Sequence, residues 1–238
     1  MGNIEFSNKL KSEFDKFNIE YTDKKVEKLN LYKNILLEWN NKINLTTITK
    51  ESDIIKKHFI DSLSILNLVN KKDKIIDVGT GAGFPGIPLS IFLNADITLL
   101  DSLNKRIIYL NDVIEKLNLQ NIEAIHGRSE EIGQEKKYRE QYDVAVSRAV
   151  APMNVLVEYL LPFVKIGGRC ICMKGPNVIE ELESAKNAIK ILGGEIEKII
   201  KFNLDEEEGK RNLVVIKKVK ETLSKYPRKA GVPRKMPL

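Results

Sequence analysis

The 238-residue chain predicts an α/β fold: a mostly parallel, seven-stranded, doubly wound (Rossmann-like) sheet with a helical N-terminal extension and an antiparallel C-terminal strand. Three observations predict it. From Asp73 onward, short apolar runs alternate with segments of helical periodicity. The first such run passes into a helix through the glycine-rich turn Asp77-Val78-Gly79-Thr80-Gly81-Ala82-Gly83-Phe84. The second run ends in an acid, Asp101, roughly 20 residues after Gly79.

The elements follow in order. Residues 1–72 read as a helical extension. Val26, Leu29, Leu31, Tyr32, Ile35, Leu36 and Trp39 recur at helical spacing, and Asn40-Asn41-Lys42 ends that helix. After the connector Asn44-Leu45-Thr46-Thr47, Thr49 or Ser52 can cap a helix carrying Ile54, Ile55, Phe59, Leu63, Leu66 and Val69. Residues 73–219 form the sheet domain. Its strands are expected at 74–78, 96–100, 122–126, 142–147 and 168–173, followed by an antiparallel pair, 194–203 and 211–219, joined by Asp205-Glu206-Glu207-Glu208-Gly209. Helices are expected at 85–93, 104–117 (Ile107, Ile108, Leu110, Val113, Ile114 and Leu117 inward), 153–160 and 177–192. Residues 220–238 form a basic tail.

The glycine turn admits three chemistries. A phosphate loop needs Lys-Ser/Thr after its last glycine, whereas Gly86 is followed by Ile87 and Pro88. Gly81, Gly83 and Gly86 do fit the dinucleotide spacing G-x-G-x-x-G. Asp77, however, suits an ammonium group and would repel a pyrophosphate. Three alternating glycines (Gly79, Gly81, Gly83) with Asp101 placed for ribose hydroxyls match S-adenosylmethionine (SAM) better. Glycines serving only a tight turn are the plain alternative.

Composition narrows the rest. The formal charge is +6, and Lys217, Lys218, Lys220, Lys225, Arg228, Lys229, Arg234 and Lys235 near the C-terminus face one acid, Glu221. A polyanion partner fits that placement; a solvated tail is the alternative. No apolar run reaches a membrane span, and Met1-Gly2-Asn3-Ile4-Glu5-Phe6 lacks a signal pattern, so a cytoplasmic, non-membrane protein is the expectation; a monomer is expected separately. Cys170 and Cys172 alternate on one strand face and read as core. With only His58 and His126 present, no metal site is expected.

In an open parallel sheet the ligand lies outside the carboxyl ends of the strands. The tip of the third strand offers Ser129 and Glu130 to an adenine edge, or Ser129 caps a short helix. The fourth tip, Ser147-Arg148-Ala149-Val150-Ala151-Pro152, lacks both the Asp/Asn-Pro-Pro-aromatic motif of amino methylation and the Pro-Cys of pyrimidine C5 methylation. A target that is already nucleophilic remains, such as guanine N7, whose lone pair needs no general base; alignment and desolvation then do the chemistry. Arg148 would hold the base or a carboxylate, or serve only as a salt bridge. His58, Asp61 and Ser62 share a helix face and line the pocket, unless Asp61 and His58 simply pair for packing. Lys174 sits where a phosphate could reach it. In the tail Tyr226-Pro227-Arg228-Lys229-Ala230-Gly231-Val232-Pro233-Arg234-Lys235, the prolines favour an extended path along RNA, with Arg228 and Lys229 as contacts.

Together Asn44-Leu45-Thr46, His58-Phe59-Ile60-Asp61-Ser62, the run Asp77 to Pro88, Leu100-Asp101-Ser102, Ser147-Arg148-Ala149-Val150-Ala151 and Tyr226-Pro227-Arg228-Lys229-Ala230-Gly231 resemble the RsmG family, also called glucose-inhibited division protein B. The resemblance runs from about residue 30 to the C-terminus. It implies a class I SAM-dependent methyltransferase acting on guanine N7 in 16S, small-subunit ribosomal RNA, with free RNA or a partly assembled 30S subunit as substrate. It also implies that Gly79, Phe84, Ser129, Glu130 and Arg148 contact the cofactor. Ser129 departs from the alanine common there. Two other readings stand beside it: an RNA-binding ribosome-assembly factor with a vestigial nucleotide site, and a small-molecule methyltransferase.

Overall fold

The computed structural model describes residues 2–204 and 209–238; the expected linker Asp205–Glu208 lies outside the described residues. Two antiparallel-packed helices, α1 (Gly2–Lys16) and α2 (Asp23–Asn40), open the chain. Thr22 caps α2 by accepting the Lys25 N–H. A single helical rod then runs through α3 (Glu51–Asp53), a π-helical segment (Ile54–Ile60) and α4 (Asp61–Leu63). The sheet domain follows as β1 (Lys74–Val78), α5 (Gly86–Phe92), β2 (Asp96–Asp101), α6 (Asn104–Lys116), β3 (Ile122–His126), α7 (Ser129–Ile132), β4 (Tyr142–Arg148), α8 (Met153–Leu160), β5 (Val164–Lys174), α9 (Val178–Ile191), β6 (Gly194–Asn203) and β7 (Lys210–Lys218), and α10 (Val232–Lys235) closes the chain.

The seven strands lie in the order β3-β2-β1-β4-β5-β7-β6. All pairs are parallel except those made by β7, which runs against both β5 and β6. Strand order reverses between β1 and β4, so a crevice opens where Val78 and Arg148 end their strands. Beyond its first residue, each of β1 and β2 is wholly buried, because helices cover both faces. Ile75, Ile97, Leu99, Val144 and Ile171 pack with α1, α2, α5 and α6. Ile76, Leu100, Ala145, Cys170 and Cys172 pack with α8 and α9. Both cysteines are free and buried, and burial pushes their thiols up, Cys172 to about 12.

Three local expectations are corrected. Leu31 and Ile108 sit beside, not on, the apolar stripes of α2 and α6 and are 42% and 54% exposed. Neither Thr49 nor Ser52 caps the helix after the connector; Lys50 precedes it with no side-chain cap. That rod also stops at Leu63, leaving Leu66 in a short 3-10 turn.

Residues 220–238, expected as an extended basic arm, instead fold back onto the sheet domain. Arg228 makes a forked contact to Glu158, which is fully buried on α8, at 2.6–3.1 Å. Gly231 donates its N–H to Glu130 Oε1 at 2.9 Å, and Arg139 donates to the carbonyls of Thr222 and Tyr226. A fully buried carboxylate without a donor is costly, and the forked guanidinium removes that cost by charge-assisted hydrogen bonds. Glu158→Ala is therefore expected to destabilise the protein by roughly 2–3 kcal/mol, less than for a fully buried pair because Arg228 still reaches water. Urea unfolding checks this; a change within about 0.5 kcal/mol would remove the clamp role.

Candidate active site

The turn after β1 is held from within. Asp77, fully buried, accepts the Thr80 hydroxyl at 2.7 Å and the Gly86 N–H at 2.9 Å through Oδ2. Gly79 and Thr80 donate their N–H groups to the Leu100 carbonyl, and Gly81 donates to Asp101 Oδ2 at 2.9 Å. Below the turn, the hydroxyls of Tyr32 (2.5 Å) and Tyr109 (3.3 Å) donate to the Ala82 carbonyl. Gly79 and Gly83 have positive φ, and a Cβ would strike Val150 at the first and Ile87 and the Tyr32 hydroxyl at the second, so only glycine fits. This corrects two expectations. The N–H groups of Gly79, Thr80 and Gly81 do not face a ligand, and Asp77 is a brace beneath the turn rather than a partner for an ammonium group.

Asp101, 3% exposed, accepts from Gly81 N, Leu103 N and Arg106 Nη1. Its carboxylate has four lone-pair directions, so one is left for a ligand. A cleft of about 190 Å³ lies between the tips of β2 and β3, lined by Gly79, Asp101, Ser129, Glu130, Tyr159 and Arg234 among others. Ser129 is the first helical residue of α7, with no cap bond. Its hydroxyl donates to Glu130 Oε2 at 3.2 Å, so the capping alternative fails.

A second cleft, about 390 Å³, shares Gly79, Asp101, Ser102, Val150 and Arg234 with the first and is lined further by Thr46, His58, Gly81, Phe84 and Arg148. Arg148 donates through Nη1 to the Lys57 carbonyl (2.8 Å) and to Asp61 Oδ2 (3.1 Å), and through Nη2 to His58 Nδ1 (3.1 Å). Its guanidinium lies 4.9 Å from the centre of the Phe84 ring, and His58 stacks on the same ring at 4.2 Å. The π-helical segment, where Asp61 N–H reaches back to the Lys56 carbonyl, presents His58 and Asp61 together to Arg148. A guanidinium only donates, so His58 Nδ1 carries the lone pair and Nε2–H donates to Thr46 Oγ1 at 3.0 Å. Thr46 Oγ1 also accepts the Ile48 N–H, so its own proton is left for the cleft.

Burial first, and Arg148 second, push the His58 pKa down to about 3, so its ring is neutral. Burial raises Asp77 to about 6. The signs oppose. The raised Asp77 contributes stability below its ordinary value of 3.8 that is lost as pH rises through about 6. The lowered His58 contributes stability above 6.5 that is lost as pH falls toward 3. Between about pH 4 and 6 each changes stability by about 1.4 kcal/mol per pH unit, and the two cancel. Asp77→Asn should therefore lose about 2–3 kcal/mol more than wild type on acidification from pH 6 to 4, read from urea midpoints. Parallel pH profiles would contradict this.

A third cleft, about 310 Å³, meets the second at His58, Arg148 and Ala149 and continues past Asp61, Lys174, Arg211 and Asn212. Lys174 lines it but is not presented to a phosphate. Its Nζ donates to the Ala151 carbonyl and to Glu181, both at 2.6 Å. Ser62 turns away and donates to the His58 carbonyl. Arg228 serves Glu158, leaving Lys229 and Arg234 exposed. Arg106 and Arg211 line the clefts although no local feature of the sequence marks them, whereas Thr46 and Arg234 lie in runs that stand out, Asn44-Leu45-Thr46 and the basic C-terminal segment. Among the described residues no group of three or more His, Cys, Asp or Glu could hold a metal ion, and no helix is long and apolar enough to cross a membrane.

Solved structures share this fold. A variant of MtNAS in complex with S-adenosylmethionine superposes with a TM-score of 0.55 at 16% identity, covering 81% of this chain and 75% of that one. P. horikoshii TYW2 in complex with MeSAdo gives 0.53 at 12% identity, covering 66% and 61%. Relatives named ribosomal RNA small subunit methyltransferase G are far more similar. That of Alkaliphilus oremlandii is 54% identical over 99% of this chain and all of its own length, and that of Clostridium botulinum (strain ATCC 19397 / Type A) is 52% identical over the same shares. The family model described as GidB, rRNA small subunit methyltransferase G, matches residues 5–225, and the chain belongs to that family.

Proposed function

We propose that this protein transfers a methyl group from SAM to N7 of a guanine in 16S ribosomal RNA, acting as a cytoplasmic monomer. The observation that carries the choice of cofactor is the inward pairing of the glycine turn. A dinucleotide site needs those N–H groups aimed at a pyrophosphate, whereas here Leu100 and Asp101 take them. The residues present suit SAM. Gly79, Gly81, Gly83 and Asp101 form the ribose end, with the last Asp101 lone pair as acceptor. Ser129 and Glu130 border the adenine end, and Phe84, Arg148 and Thr46 the methionine end.

Once bound, SAM supplies a methyl group on a positively charged sulfur. N7 carries a lone pair and no proton, so no residue has to act as a base. Arg148 is then the catalytic candidate through placement: it lines the second and third clefts, and the two N–H groups left after its three hydrogen bonds can offer a planar edge to a carboxylate or to the base. His58 and Asp61 hold that fork, and the cleft beyond them receives the nucleotide. Lys229, with Arg228 less directly, borders RNA at the exposed C-terminal segment. The division into 1–72, 73–219 and 220–238 reads functionally as substrate side, donor site and closing wall.

Calorimetry with SAM and with NAD, then incubation with labelled SAM and 16S RNA lacking the modification, tests this. SAM binding and label transfer are expected. Tight NAD binding without SAM binding would overturn the cofactor. SAM binding without transfer would favour the assembly-factor reading.

A further inference from the structure

Adenine also carries an N7 lone pair, so a guanine-N7 transferase must distinguish the two bases away from the reacting atom. The guanine edge holding N7 offers only acceptors, N7 and O6. A donor on N7 would occupy the lone pair that must react; a donor on O6 would mark guanine without touching N7, and the far end of the base offers a second, independent mark. The donors that mark guanine, N1–H and N2–H, lie at the opposite end of the ring system. A site reading that end needs an acceptor, one ring-length from the methyl group.

The third cleft contains an acceptor without a donor. Asp61 is 4% exposed; its Oδ2 is held by Arg148, and its Oδ1 is buried and accepts no hydrogen bond. Arg211 Nε lies 3.4 Å from Oδ1, close enough to pair electrostatically but outside hydrogen-bond geometry. A buried carboxylate oxygen with no donor is a cost that a ligand N–H removes. The cleft joins the donor side at Arg148, so a base reaching Asp61 with its far end turns its other end toward the transfer site.

Resting on the function proposed above, we propose that Asp61 selects guanine by accepting its N2 amino group on Oδ1 as the Arg211 side chain moves aside. Adenine presents C2–H and a bare N1 at that edge, so it would leave Oδ1 unsatisfied and bring two acceptors together.

The test uses the wild-type protein and Asp61→Asn. The guanine modified by wild type is mapped first, and the same RNA is then prepared with inosine there, which keeps N7, N1–H and O6 but lacks the 2-amino group. Wild type is expected to lose roughly 10- to 100-fold in kcat/KM on inosine. Asn keeps its oxygen toward Arg148 and puts its NH2 where Oδ1 was. Asp61→Asn is therefore expected to be slow on both RNAs, with a guanosine-to-inosine ratio near one. Equal rates of wild type on both RNAs would overturn the proposal whether or not the variant folds. An unchanged ratio in a folded Asp61→Asn would overturn it too. Failure of the underlying function would look different: wild type would not methylate the guanosine RNA at all.

Discussion

Arg148→Lys should lower methyl transfer by roughly 100-fold while leaving the protein folded. Arg148 reaches three acceptors on one helical rod, the Lys57 carbonyl, His58 Nδ1 and Asp61, and still has two N–H groups for the cleft. A lysine keeps the charge beside Asp61 but cannot span those acceptors and also present a planar edge. Arg148→Ala is the poorer experiment. It strips a nearly buried carboxylate of its main partner at a cost of about 3–5 kcal/mol, so lost turnover and lost fold would coincide. The lysine variant separates them: near wild-type melting with a collapsed rate supports the positioning role. Near wild-type turnover would reduce Arg148 to a structural salt bridge.

Asp101→Ala should weaken SAM binding by about 1–3 kcal/mol, or roughly 5- to 150-fold in Kd. The carboxylate does two jobs. It braces the glycine turn through Gly81 N and the start of α6 through Leu103 N, and it neutralises Arg106, whose Nε is buried with no hydrogen-bond partner. Removing it therefore costs the ligand an acceptor and loosens the wall around it. Calorimetry well below the melting temperature isolates the binding loss. An unchanged Kd would take Asp101 out of the site.

Most of the architecture was legible from the sequence because strands and helices here announce themselves by period. β1, β3 and β6 fall at their expected bounds, and the antiparallel β7 follows from the closing hairpin. The site was legible as positions, less so as contacts. Spacing put His58 and Asp61 on one face and Arg148 at a strand tip, but the meeting of Arg148 with Asp61, 87 residues apart, is a tertiary contact that no local pattern reveals. Tertiary pairing overrode local reading in two places. Asp77 resembled a ligand for a cation and proved to be a buried strut. The basic tail resembled an RNA arm, yet Arg228 serves Glu158, a partner 70 residues away that no local pattern reveals.

The most direct test of the account is to locate the methyl group. Unmodified small-subunit ribosomal RNA is incubated with the protein and SAM, reduced and cleaved at N7-methylated guanines, and read by reverse transcription. A new stop at one guanine, absent without SAM and lost with Arg148→Lys, is the predicted result. A methyl group on an exocyclic nitrogen or on ribose, with no cleavage at any guanine, would contradict it.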